Sequence, residues 1–233
     1  MSKKDVILLD FEGVYLSQPT LFKSATHIDL RHLKSVKYMC DLNTLNTVAS
    51  SLIEQCPRIV FLGDSAYHHF SYIFLRSIDS PFELVVFDNH RDDAHKDSNL
   101  ITCDSWIEFA KKLENLKAVH FVRKKKDLPK HFEHPIYASI DKDVLSEKFL
   151  KLGWDQGNMQ IEELLEAVKF LLEKREVLGV DISGEPRDPF QMQRSEEVNL
   201  ALLKLFMTRG RSLRKRKIKS SSLLYHHVLR NSH

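Results

Sequence analysis

The segment Phe87-Asp88-Asn89-His90-Arg91-Asp92 sets two carboxylates and an imidazole at alternating positions, directly after a short apolar run. If the chain stays extended there, Asp88, His90 and Asp92 point to one side, because every second side chain of a strand shares a face. A second pair with the same spacing, Asp141 and Asp143, follows Ser139 and Ile140 at the end of another apolar run. The turn Gly63-Asp64-Ser65 leads into Tyr67-His68-His69, from which one imidazole can reach the same rim. Together Asp88, Asp92, Asp141 and Asp143 would concentrate negative charge at low dielectric, which is costly unless the carboxylates protonate or bind cations. Two divalent metal ions balance four carboxylates. Carboxylate and imidazole donors without thiolate suit manganese, and also iron, cobalt or zinc, better than a cysteine-type structural zinc site. Two such ions, roughly 3.5–4 Å apart, would bridge a water and make it a hydroxide near neutral pH, so the natural reaction is hydrolysis.

These residues need a scaffold that brings several strand ends together. Short apolar runs rich in β-branched residues recur at Val6 to Leu9, Ile59 to Leu62, Leu84 to Phe87, Ala118 to Val122, Ile136 to Ile140 and Val177 to Val180. Helical periodicity between several of them predicts parallel strands joined by crossover helices. The clearest helix runs from about Gln160 to Lys174, with Ile161, Leu164, Leu165, Val168, Leu171 and Leu172 on one stripe. Another begins near Ser65 and groups Phe70, Ile73, Phe74 and Ile78. A third is expected to start at a cap, Ser195, and to align Val198, Ala201, Leu202 and Leu205. Four runs end in an acid, at Asp10, Asp88, Asp141 and Asp181, and the carboxyl ends of strands form the binding edge of an open parallel sheet.

At these positions the sequence resembles the ureohydrolase family, the arginase and agmatinase group of the arginase-like superfamily. That family's Asp-x-His-x-Asp motif is similar to residues 88–92, its Ser-x-Asp-x-Asp motif to residues 139–143, and its glycine-aspartate turn with a ligand histidine to Leu62 to His69. The resemblance covers roughly Ile59 to Glu185 and implies an α/β fold of three layers, αβα, around a central parallel sheet. It also implies a bimetal centre of two divalent ions, usually Mn2+, and hydrolysis of a C–N bond in a linear guanidine or amidine. Carried over, His68, Asp88, Asp92 and Asp141 hold one metal. Asp88, His90, Asp141 and Asp143 hold the other. Asp92 is the implied catalytic residue, moving a proton to the leaving amine. Substrate-binding candidates are Glu185, one position away from the family's guanidinium-gripping glutamate, Asp155 in the loop Trp154 to Gly157, and Trp106 in Cys103-Asp104-Ser105-Trp106. A literal copy of the histidine motif, Asp93-Ala94-His95-Lys96-Asp97, lies beyond the strand end among polar residues and reads as solvated loop.

Length and composition set the outer bounds. With 233 residues, 42% hydrophobic and 29% charged, the chain fits one α/β domain over residues 1–208 followed by a basic C-terminal segment, 209–233. A net charge of +3, much of it from that segment, does not demand nucleic acid as a partner. The run after Met1 is too short for a signal sequence, no apolar stretch is long enough for a membrane span, and Cys40, Cys56 and Cys103 lack zinc-knuckle spacing. A cytoplasmic protein with reduced thiols, acting on a small guanidino or amidino molecule and assembling as a homo-oligomer as the family does, is the resulting expectation. Two rivals accompany it: a metal-dependent deacetylase or amidase on the same scaffold, and a metal-binding protein without this catalysis.

Overall fold

The computed structural model describes residues 3–52, 58–95 and 99–209. Cys56, the Lys96-Asp97 end of the literal motif copy, and the basic segment from 210 onward lie outside the described residues. Seven strands form one sheet: β1 (Val6–Asp10), β2 (Thr26–Asp29), β4 (Ile59–Phe61), β5 (Phe82–Phe87), β7 (Leu116–Val122), β8 (Ile136–Asp141) and β9 (Val177–Ser183), while β3 (Met39–Asp41) and β6 (Leu100–Thr102) pair as a small antiparallel ribbon. The sheet order is β2-β1-β4-β9-β8-β5-β7, and every pairing in it is parallel.

Alternation along each strand divides the core into two. Leu8, Phe61, Val85, Ile140 and Val180 face α5 (Ile161–Lys174) and α6 (Met192–Arg209). Ile7, Val60, Leu84, Val86 and Tyr137 face the opposite layer, α2 (Leu42–Leu52), α3 (Ser71–Leu75) and α4 (Trp106–Ala110). Both faces of the sheet are covered, which is why the strands read as unbroken apolar runs. This is the expected three-layer αβα architecture with a parallel sheet. A short sixth helix, α1 (Pro19–Ser24), closes one end against α6. No helix among the described residues is long and apolar enough to cross a membrane.

The six expected strands are present, but the edge strand β2 and the ribbon strands were not anticipated. Each of the three is at most four residues long, and β2 is at best half-buried, so none carries an apolar run. Two helix starts also differ. The segment after Asp64 is a 3-10 helix, Ser65–Phe70, continuing into α3, and the Asp64 carboxylate accepts the Ala66 N–H at its start. Helix α6 begins at Met192, three residues before Ser195, so Ser195 is not a cap; its buried hydroxyl serves another purpose.

Candidate metal centre

The carboxyl ends of β5, β8 and β9 lie side by side, and the chain leaves each with a turn that redirects its acids. After β5 the Asp88 carboxylate accepts the His90 N–H at 2.5 Å, and Asp92 adopts a left-handed backbone, φ 47°. The segment therefore curls instead of staying extended. Asp88, His90 and Asp92 still converge because the turn folds them over the strand end. After β8, Asp141 Oδ1 accepts the Asp143 N–H at 2.9 Å, starting a 3-10 turn that carries Asp143 back toward β5. Asp143 in turn accepts the Asn89 N–H at 2.9 Å and meets His90 Nδ1 at 2.7 Å.

His68 enters from the 3-10 helix after Asp64. Its Nδ1 lies 3.1 Å from Asp92 Oδ2, 3.3 Å from Asp88 Oδ2 and 3.4 Å from Asp141 Oδ2. Donor atoms of His68, Asp88 and Asp92 lie within 4.8 Å of one another, as do those of Asp88, His90 and Asp143. Asp88 belongs to both sets. His69 belongs to neither: it packs against Phe70, and burial followed by the adjacent His68 charge pushes its imidazole down to about 3. Asp93 of the motif copy pairs with Arg91.

The electrostatics of this cluster are those of a site short of positive charge. Burial and the Asp88 carboxylate push Asp92 up to about 6, and burial with neighbouring acids raises Asp141 and Asp143. Burial alone would raise Asp88 too, but the neighbouring His68 and His90 imidazoles overcome it and hold this carboxyl below its ordinary range. Hydrogen bonds to Asp143 and Asp88 push His90 up to about 11. The most informative atom is His68 Nδ1. It is buried, has no hydrogen bond of normal geometry, and faces three carboxylate oxygens. A nitrogen directed at three anionic oxygens is satisfied by a proton or by a metal cation between them, and the donor set fits hard or borderline divalent metals.

Above the cluster opens a cavity of about 330 Å³, lined by the four metal-site carboxylates and His90 together with Ser65, Arg91, Asp93, Ala94, Cys103, Asp104 and Trp154. Cys103 is pushed up to about 12 by burial and then by Asp92, which makes it an inert thiol. None of the three expected substrate contacts lines this cavity. Trp106 is fully buried on α4, and its indole N–H donates to Asp92 Oδ2 at 2.8 Å. Asp155 is exposed, and its backbone oxygen accepts from the Asn89 amide at 3.2 Å. Glu185 is buried away from the cavity, accepting from Lys142 at 2.6 Å, Ser195 at 2.6 Å, Asn199 at 2.8 Å and Gln18 at 2.5 Å. Lys142 stands between the two acids of the second motif in sequence, and its fully buried ammonium is held by Glu185, Ser195 and Asn199.

Sequence reasoning did not find the residues beneath the cluster. Asp141 is held by Ser65 and Ser183, each donating at 2.8 Å, and Asp64 accepts from the Trp154 indole at 2.8 Å and Arg187 at 2.6 Å. The strand register Asp141↔Ser183 is the signal that identifies Ser183, and register is a property of the folded sheet. Asp181 is not a rim acid, because β9 continues for two residues past it. Asp10 also stays apart, accepting the Gly13 N–H at 2.6 Å and meeting His27 at 2.9 Å.

No family model matches the chain. It is 35% identical over 215 residues to a protein of Thermotoga maritima described as uncharacterized, covering 84% of this chain and 87% of that one. Among solved structures, a hypothetical agmatinase from Burkholderia thailandensis is similar with TM-score 0.63 at 17% identity, over 89% of this chain and 86% of that one. Arginase from Entamoeba histolytica, in complex with L-ornithine, gives TM-score 0.62 at 11% identity, over 86% and 97%. Formimidoylglutamase from Bacillus subtilis gives 0.56 at 15% identity, over 87% and 86%.

Proposed function

We propose that this chain, which belongs to one family with the Thermotoga maritima protein and has the arginase-like fold, is a binuclear-metal hydrolase acting on a C–N bond of a linear guanidine or amidine. The observation that carries the reading is His68 Nδ1 facing Asp88, Asp92 and Asp141 while Asp88 is shared with the His90 and Asp143 donors. In this reading His68, Asp88, Asp92 and Asp141 hold one ion and Asp88, His90, Asp141 and Asp143 the other. Manganese is the proposed metal, since every donor is a carboxylate or an imidazole. Bound there, two such ions supply the Lewis-acid chemistry that turns a water into a nucleophile near neutral pH.

The protein's own groups supply the rest. Asp92, whose carboxyl burial and the Asp88 charge raise in the metal-free chain, would take a proton and return it to a leaving amine. The Trp106 N–H fixes which way that carboxylate faces. Two divalent ions would offset the four metal-site carboxylates, leaving Asp93 and Asp104 against Arg91 on the cavity wall. That balance favours a cationic substrate. Cytoplasmic residence and a homo-oligomeric assembly complete the proposal.

The engagement of Glu185 with Lys142 favours a second reading. With that carboxylate withdrawn from the cavity, the same centre can act on the carbonyl of a neutral amide, as in a deacetylase. Plasma mass spectrometry on protein refilled with manganese and dialysed tests the centre itself. About two ions per chain, lost in Asp141→Asn with the fold retained, are expected, and unaltered metal binding in that variant sinks the assignment. Turnover of guanidino compounds against acetylated amines then separates the two substrate classes.

A further inference from the structure

We infer that Ser139 and Asp181 are positioning residues that fix the tautomer of His68, presenting Nδ1 to a metal and keeping the ring proton on Nε2. The inference rests on the metal-centre reading above and concerns the layer beneath it. His68 Nε2 lies 2.8 Å from Ser139 Oγ, and Ser139 Oγ lies 2.6 Å from Asp181 Oδ1. Asp181 Oδ1 also receives the Ser71 hydroxyl at 2.9 Å, so this oxygen acts as an acceptor of two donors. A hydroxyl has one proton to give. Once Ser139 gives it to Asp181, its oxygen can only accept from the imidazole, and the Nε2 proton is thereby required. Nδ1 is left with a bare lone pair, and that is the nitrogen facing Asp88, Asp92 and Asp141.

The relay is built into the sheet. Ser139 on β8 and Asp181 on β9 are paired in register and fully buried, and Ser71 is the first residue of α3. Buried partners of this kind hold a ligand ring in one orientation and raise its basicity, and losing one costs roughly 10–100-fold in metal affinity. The effect is local, because the relay touches His68 and not His90, which belongs to the other donor set.

The test is calorimetric titration of the full metal-free chain with Mn2+, comparing wild type, Ser139→Ala and Ser71→Ala, with His90→Ala identifying which binding step belongs to which set. Ser71→Ala removes a hydrogen bond from the same buried carboxylate without touching His68. The expected result is a loss of about 10–100-fold at the His68 step in Ser139→Ala, a near-normal His90 step, and both steps preserved in Ser71→Ala. Unchanged affinity in Ser139→Ala, or equal losses in the two serine variants, overturns the relay while leaving the metal centre standing. A wild-type chain that binds no manganese overturns both. Should Ser139→Ala not fold, Asp181→Asn in the full chain decides the matter by the same titration. A loss confined to the His68 step is expected, and unchanged affinity refutes the relay.

Discussion

Replacing Lys142 by methionine keeps most of the side-chain stem and removes one buried cation. Its Nζ donates to Glu185 at 2.6 Å, Ser195 at 2.6 Å and Asn199 at 2.9 Å, so all three N–H groups are used. Burial lowers the pKa of this ammonium and the Glu185 charge opposes that, as expected of an ion pair removed from water. In Lys142→Met the Glu185 carboxylate keeps its neutral donors Gln18, Ser195 and Asn199 but has no counter-charge. Breaking a buried pair by removing one partner costs about 3–5 kcal/mol, whereas replacing both with apolar residues is often neutral. For a chain of this size each kcal/mol moves the melting midpoint by about 2–4 °C, so the single variant should melt roughly 6–20 °C lower. Lys142→Met/Glu185→Leu should recover part of that loss in urea unfolding of the metal-free protein, the remainder being set by Gln18, Ser195 and Asn199, which lose a buried acceptor. The double variant should also bind the same number of metal ions and turn over substrate, since Glu185 does not reach the cavity. A single variant as stable as wild type would refute the structural account of the pair. A well-folded double variant with no turnover would return Glu185 to the substrate.

Deleting the indole N–H in Trp106→Phe removes a hydrogen bond that lowers the Asp92 pKa, so the acid limb of kcat/KM against pH should move upward; an unmoved limb rejects the contact. Metal-free protein should lose stability as pH rises. Asp92 moves from 3.8 to about 6 and His90 from 6.5 to about 11 on folding, so the native state binds more protons across both windows. Urea midpoints of chelator-treated protein at pH 5.5 and pH 8 check this, and a higher midpoint at pH 8 contradicts it. Gly184 has φ 88°, and a Cβ there would lie 2.8 Å from both Asp141 Oδ1 and the Lys142 nitrogen. Gly184→Ala should therefore cost upward of about 1 kcal/mol and weaken manganese binding together, and a calorimetric titration showing wild-type affinity would exclude the displacement of Asp141.

The sheet was legible wherever strands are covered on both faces, because burial on two sides leaves an unbroken apolar run. β5, β8 and β9 announce themselves in this way. β2 does not: its residues Thr26, His27 and Ile28 are half-buried at the sheet edge, and Asp29 is exposed. Ser195 has the residue type of a cap, yet it lies within α6, where a tertiary requirement, the Lys142 ammonium, fixes its identity.

The acids of the candidate centre were legible for a different reason. Their two-residue spacing survives both the extended arrangement expected for residues 88–92 and the tight turn that is found, because in either geometry the side chains return over the strand end. Glu185 shows the limit of arguing from spacing. One position of displacement along the chain, beyond a glycine with positive φ, is enough to turn a carboxylate from the cavity to the far side of the β8 loop, where Lys142 meets it. Ser183, which holds Asp141 from β9, carries even less local signal, since a buried serine in a strand looks like any small residue until its neighbour in the next strand is known. Asp181 is the instructive case: read alone it is another strand-end acid, and read opposite Ser139 it becomes the group that decides which nitrogen of His68 is left free for a metal.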